Sequence, residues 1–256
     1  MLRVGIVPYL VARPLTDGLA LDSRVELLAA VPAKLARGLA DGSLDVALAS
    51  SVLSAAPPRL PFWLDGPVIA SRGPIRSVLL LLRPGLRSPR EVRRWITDPA
   101  SRTGSALTEI LLREAWDASA TRIEAPAGAD LLDVAEAADA DAVQMIGDAA
   151  LRACAERPEW RAVDLGEAWW NHLRLPFVFA GWIGRAGLEV ESVAAPLADA
   201  AERGLARLPD IAAEAGRLHP LGPDFVRRYL LEDLCWRLPR AILEESLGAF
   251  ASRLEV

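Results

Sequence analysis

Four consecutive segments decide the fold: Arg3-Val-Gly-Ile-Val7, Val25-Glu-Leu-Leu-Ala-Ala-Val31, Pro32-Ala-Lys-Leu-Ala-Arg-Gly-Leu-Ala-Asp-Gly42 and Leu44-Asp-Val-Ala-Leu48. The first two are short apolar runs of β type. In the fourth, Leu44, Val46 and Leu48 recur with the period of two expected of a strand. The third places Leu35 and Leu39 on one helical face, with Pro near the start and Gly at the end. Strand, strand, helix, strand is the order of an α/β fold with mostly parallel sheets. Ser50, Ser51 and Ser54 follow the carboxyl end of the last strand, where open α/β sheets place ligands.

Working outward, 67–70 and 77–82 read as extended stretches separated by Arg72-Gly73-Pro74. Pro84, Gly85, Ser88 and Pro89 then suit a connection between lobes. A second α/β unit follows: strand 95–97, helix 103–116, strand 122–124, helix 131–138, strand 142–145 and a helix from Asp148. Phe177, Val178, Phe179, Ala180 and Trp182 read as a strand that carries the chain back. Beyond Gly187 the pattern is helical, over 192–208, 223–234 and 239–254. The expectation is two α/β lobes joined by two crossings, 1–84 with 184–256 forming one and 85–183 the other, with a ligand cleft between them and a helical C-terminal part.

Composition narrows the function. The 256 residues carry 29 basic and 34 acidic side chains, net −5, and are 52% hydrophobic and 25% charged. Such a chain buries a full core and has no basic excess for a nucleic acid backbone, so nucleic acid is not an expected partner. Cys154 and Cys235 are the only cysteines and fit neither a disulfide framework nor a metal spacing, which points to a reducing compartment. The N-terminus reads directly as a strand, without the features of a secretory leader. The most apolar run, Val78 to Leu82, is far shorter than the roughly 20 residues of a membrane helix. A cytoplasmic protein with no membrane partner is expected. Nothing in the sequence signals an oligomeric state.

The strongest local candidate for chemistry is Asp98-Pro-Ala-Ser-Arg-Thr-Gly-Ser105, after a strand and before a helix. The amides of Thr103, Gly104 and Ser105, with the hydroxyls of Ser101 and Thr103, can bind a carboxylate or phosphate at the positive end of the helix. The same residues suit ordinary N-capping, and the spacing is not that of a phosphate loop. Ser77 begins a strand beside a connection, so its hydroxyl faces either the cleft or solvent. No nucleophile-elbow glycines surround it. His172 and His219, the only histidines, lie in no metal pattern and read as surface or helix-end residues. Asp148 stands where it either caps the next helix or serves a site at a strand's carboxyl end. Trp169 and Trp170 suit a pocket wall or core packing equally.

Taken in order, Gly5-Ile-Val-Pro-Tyr-Leu-Val-Ala-Arg-Pro-Leu15, Gly73-Pro-Ile-Arg-Ser-Val78, Ser101-Arg-Thr-Gly104, Ile146-Gly-Asp-Ala-Ala-Leu151 and Leu175-Pro-Phe-Val-Phe-Ala-Gly-Trp182 resemble the chorismate dehydratase family of the futalosine route to menaquinone. The resemblance spans about residues 3 to 183. It implies a type 2 periplasmic-binding-protein fold and loss of water from chorismate to give 3-[(1-carboxyvinyl)oxy]benzoate, without metal or redox cofactor. It also implies a catalytic role for Ser77 and carboxylate binding by Ser101, Thr103 and Gly104. Tyr9, Val11, Arg13, Asp148 and Trp169 are further pocket candidates. The family's first motif commonly ends in Asn, an active-site residue, where this chain has Val11, which neither donates nor accepts a hydrogen bond. Its Ser-Arg-Thr-Ser is Ser-Arg-Thr-Gly here. The other readings left open are a non-catalytic binding protein for an aromatic or enolpyruvyl carboxylate and a related enzyme acting on a different intermediate of the futalosine route. The acid and base are unassigned, and the substrate's own carboxylate is one candidate base.

Overall fold

The computed structural model describes residues 1–98 and 101–254; Pro99 and Ala100 of the candidate anion loop lie outside them. Eleven strands among the described residues form two sheets. The first contains β1 (Leu2–Ile6), β2 (Val25–Ala29), β3 (Val46–Ser50), β4 (Val68–Ser71), β10 (Phe177–Gly184) and β11 (Leu234–Cys235), in the order β11-β4-β10-β3-β1-β2. The second contains β5 (Val78–Leu82), β6 (Arg94–Thr97), β7 (Thr121–Glu124), β8 (Ala142–Ile146) and β9 (Arg161–Asp164), in the order β7-β6-β8-β5-β9.

The opening segments form as their pattern dictates. Helix Pro32–Asp41 starts on proline and ends at Gly42, whose φ of +74° suits a residue without a Cβ. Its Leu35 and Leu39 are buried with Val4 and Leu48 in the main core. The sheets are mixed rather than mostly parallel. β1 runs parallel to β2 and β3, and β6 to β7 and β8. β10 is antiparallel to β3 and β4, and β5 to β8 and β9. Each strand that arrives from the other sheet enters from the opposite end, which reverses its direction.

That geometry also moves the connections. The chain passes from the first sheet to the second between Ser71 and Val78, and returns between Asp164 and Phe177. The stretch around Pro84–Pro89 instead joins β5 to β6 within one sheet, so the expected boundaries at 84 and 184 fall beyond both passages. β5, with all five residues buried, is an interior strand flanked on both sides, as a continuous apolar run requires.

Beyond β10 the chain is helical except for β11. Helix Ala195–Ala206 packs on Arg13–Thr16, and Gly204 permits the approach: a Cβ there would stand 2.1 Å from the Pro14 carbonyl oxygen. The expected helix over 192–208 begins as a 3-10 turn, and a separate helix, Leu208–Gly216, follows it. The expected helix over 223–234 ends early, at Arg228, and gives way to a π turn, Tyr229–Asp233, and then β11.

One carboxylate ties both passages together. Asp164, at the end of β9, accepts hydrogen bonds from the amides of Ile75 (3.1 Å) and Arg76 (2.7 Å) in the first passage. It also caps helix Leu165–Leu173 through the amides of Gly166 (3.0 Å) and Glu167 (3.1 Å). Burial pushes its carboxyl above the ordinary carboxylate value, against the pull of these four amides.

Replacing Asp164 by Ala strands those donors, and we expect it to lower stability by about 2 to 3 kcal/mol, a fall in Tm of roughly 4 to 12 °C. Because the folded state raises this pKa, it binds the proton more tightly than the unfolded chain in the window between the ordinary value of 3.8 and the raised one. Asp164's contribution to stability therefore grows as pH falls through that window. Denaturant melts of wild type and Asp164→Ala at several pH values should show their difference widening toward acid.

Candidate functional site

Between the two sheets lies a cavity of about 80 Å³. The first sheet contributes residues after β1 and along β3, β4 and β10. The second contributes the start of helix Arg102–Glu114 and the end of β8, and the first passage contributes Ile75 and Ser77. Seven of the residues singled out in the sequence meet here: Tyr9, Val11, Ser50, Ser77, Ser101, Thr103 and Gly104. Among the described residues, no charged side chain lines it. Its polar groups are hydroxyls and backbone, and the rest is apolar, including Val11 and Phe179.

Ser77 is buried, at 4% exposure, and faces the cavity rather than solvent. It closes a strained turn: Arg76 has φ +63°, unusual for a residue with a Cβ. The turn is held by Asp164, by ion pairing of Arg76 with Asp233 at 3.0 Å, and by the Gly147 amide, which donates to the Ser77 carbonyl at 2.7 Å. The hydroxyl of Tyr229 donates to Ser77 Oγ at 2.8 Å. Burial pushes the Tyr229 phenol well above its ordinary pKa, so it stays protonated and remains a donor. The Ser77 proton has only the Ile75 carbonyl at a loose 3.5 Å and is readily turned toward a ligand.

Sequence reasoning missed Tyr229. Its only local signals are that it is one of two tyrosines and lies four residues after Phe225, on which it stacks at 5.9 Å. Its partner is 152 residues away, and the π turn that begins at Tyr229 and ends at Asp233 sets both side chains against the first passage. Such turns recur at functional sites.

At the helix start, the structure does not show the expected side-chain capping. Ser101 occupies the N-cap position but makes no side-chain cap bond, and its Oγ is buried without a hydrogen-bond partner among the described residues. Thr103 Oγ1 accepts from the Val52 amide at 3.1 Å across the two sheets, which leaves its proton available. The Ser105 amide is already bonded to the Ser101 carbonyl at 2.8 Å, so the expected third amide is spent. The first-turn amides of Thr103 and Gly104 have no acceptor within the helix. A second residue missed by the sequence stands behind them. Gln144 of β8 is fully buried, and its Nε2 also lacks a partner.

Tyr9 is half-buried. Burial raises its phenol pKa, with the Asp98 and Asp148 carboxylates adding to the effect, so it too acts as a donor. It packs against Gly147, whose φ of +63° and lack of a Cβ let β8 turn directly into helix Gly147–Glu156. Asp148, in the first turn of that helix, lies outside the cavity and accepts from the Leu10 amide at 3.4 Å, a clasp between the sheets. Asp148 and Arg13 share an adjoining open recess with Tyr9, and the Arg13 guanidinium is exposed and paired with Glu214 at 3.2 Å. Trp169 is fully buried in the core, edge-on to Phe177 at 5.0 Å. It reaches the cavity only through Phe177 and then Phe179, 4.7 Å further on. His172 lies 3.6 Å from Glu114, and His219 accepts the Leu221 amide; neither lines the cavity. No group of three or more His, Cys, Asp or Glu that could hold a metal ion occurs among the described residues.

The sequence and fold have clear relatives. Among solved structures, the periplasmic aliphatic sulphonate binding protein of Escherichia coli superposes with a TM-score of 0.64 at 16% identity, over 98% of this chain and 85% of that one. An ABC transporter protein of Parabacteroides distasonis gives 0.63 at 13% identity, over 98% and 92%. These likenesses establish the type 2 periplasmic-binding-protein-like fold. The chain is 33% identical over 275 aligned positions to the chorismate dehydratase of Thermus thermophilus, covering 98% of this chain and 94% of that protein. A family model described as menaquinone biosynthesis matches residues 2–243. By that match and that identity, the chain belongs to the menaquinone-biosynthesis family.

Proposed function

We propose that the protein is a chorismate dehydratase, a hydro-lyase that forms 3-[(1-carboxyvinyl)oxy]benzoate in the futalosine route to menaquinone. The observation that carries this reading is a cavity between two sheets, lined by neutral donors and apolar surface, in a chain one third identical to a chorismate dehydratase. The two sheets are read as two lobes that close on the substrate, with the first lobe ending in the turn before Ser77. Two free thiols, Cys154 and Cys235, accord with a cytoplasmic location. No helix among the described residues is long and apolar enough to cross a membrane.

The chemistry asks little of the protein beyond position. One ring C–H bond and the neighbouring C–OH bond of chorismate break, a ring double bond forms, and proton and hydroxide leave together as water. Aromatisation drives the step. With no carboxylate, histidine or lysine among the described lining residues, the substrate's own carboxylate takes the ring proton, held close to it by the cavity. Ser77 donates to the departing hydroxyl. The hydrogen bond it accepts from Tyr229 polarises its own O–H and makes it a better donor. Ser101, Thr103 and the helix amides hold a carboxylate where the helix dipole favours negative charge. Tyr9 adds a protonated phenol at the rim, and Val11 leaves the facing wall apolar. Exclusion of water strengthens each of these contacts.

Purified protein incubated with chorismate should yield the enolpyruvyl benzoate, read by mass spectrometry; binding without product would select a non-catalytic carboxylate-binding protein instead. In that case, Val11→Asn should produce turnover if the missing amide is the cause. We expect Ser77→Ala to lower kcat by roughly a hundredfold and, because it strands the buried Tyr229 hydroxyl, to lower Tm by roughly 2 to 12 °C, leaving the protein folded at assay temperature. Tyr229→Phe should lower kcat by about tenfold with KM little altered, as loss of one neutral hydrogen bond behind Ser77 would. A KM effect with kcat unchanged would remove Tyr229 from the reaction.

A further inference from the structure

Gln144 is a polar side chain in an apolar place. Along β8, Val143 and Met145 pack into one core, while Ala142 belongs to the other and Ile146 lines the cavity. Gln144 shares the face of Ala142 and Ile146, is fully buried, and pairs in register with Leu80 on one side and Thr97 on the other. Its Oε1 is tied down, accepting from Thr97 Oγ1 at 3.3 Å. With its proton on Gln144, Thr97 Oγ1 in turn accepts from Ser105 Oγ. Among the described residues, the other end of the carboxamide, Nε2, has no partner, and neither has Ser101 Oγ. Buried polar atoms are rarely left in this state.

The two unpartnered groups converge. A Cβ built on Gly104 would stand 2.5 Å from Gln144 Nε2 and 2.5 Å from Ser101 Oγ, so both close on the bare Cα of a residue that lines the cavity. That spot is the N-terminus of a 13-residue helix, where an anion is favoured and a cation is not. An NH₂ group, a hydroxyl and first-turn amides around one point present donors to the two oxygens of a carboxylate.

We infer that Gln144 is a ligand-binding residue, whose carboxamide joins the Ser101 hydroxyl in donating to a substrate carboxylate seated over Gly104. This rests on the reading of the cavity as a carboxylate site and adds to it a residue, supplied by a strand behind the helix, that determines how tightly that carboxylate is held.

The test is calorimetric titration of wild type and Gln144→Leu with chorismate and with benzoate, a ring carboxylate that cannot be dehydrated. Leucine keeps the bulk of the side chain and removes its polar atoms. The expected result is a roughly ten- to hundredfold loss of affinity for both probes, with a free-protein Tm equal to or above that of wild type. Unchanged affinity beside a raised Tm overturns the inference, since Gln144 would then be an unpaired core amide and nothing more. If wild type binds benzoate but not chorismate, the dehydratase reading fails while the benzoate ratio still decides Gln144. If it binds neither, both readings fall. Gln144→Glu keeps the shape and the acceptor toward Thr97 but turns the donor into a second acceptor. Its affinity for benzoate should drop at least as far, and a value equal to wild type overturns the inference even where the leucine variant does not fold.

Discussion

The four amide hydrogen bonds to Asp164 are the constraint on which the site depends. Two come from the passage that leaves the first sheet and two from the helix that leads back to it. A single carboxylate thus sets the spacing of the two strands of chain that link the sheets. The price is a buried charge, but each amide it accepts would otherwise be an unpaired donor. With the passage anchored, Arg76 is held in a left-handed conformation that it would not adopt alone, and Ser77 is turned into the cavity. The C-terminal π turn then locks the same passage from the other side through Tyr229 and Asp233.

A second principle governs the cavity itself. On the proposed function, a dianion is held without any charged side chain among the described lining residues, by hydroxyls, amides and the end of a helix. Neutral donors cost less to desolvate than a guanidinium or ammonium group and, fixed in place, need no reorganisation when charge moves during the reaction. The arrangement leaves some of them unsatisfied in the free protein, as Ser101 Oγ and Gln144 Nε2 are. Such groups raise the free energy of the empty state and are relieved when a ligand fills them, a common way for a site to trade stability for affinity.

The short passages also explain why Trp169, Phe177 and Phe179 stack edge to face. The returning chain goes from helix Leu165–Leu173 straight into β10, so consecutive inward positions of one strand carry the aromatic column from the core to the cavity wall. Trp169 supports that wall and does not form it.

Local chemistry alone determined a good deal. Apolar alternation at Leu44–Leu48 and proline and glycine at the ends of helix Pro32–Asp41 were enough to predict two α/β units, while the fold family and pocket residues such as Tyr9 and Val11 followed from the resemblance carried by the motifs from Gly5 to Trp182. These signals are legible because strand period, helix period and end-capping are properties of a few adjacent residues. The sequence could not show the direction of β5 and β10, the passages at 72–77 and 165–176, the exposure of Arg13, the burial of Trp169, or the presence of Tyr229 and Gln144 behind the site. Each of those depends on which distant segments come to lie side by side: Tyr229 meets Ser77 across 152 residues, and Gln144 gains its meaning only beside a glycine on another element. Tertiary structure decided them because a hydrogen bond is made between neighbours in space, and nothing in a residue's own type says who those neighbours are.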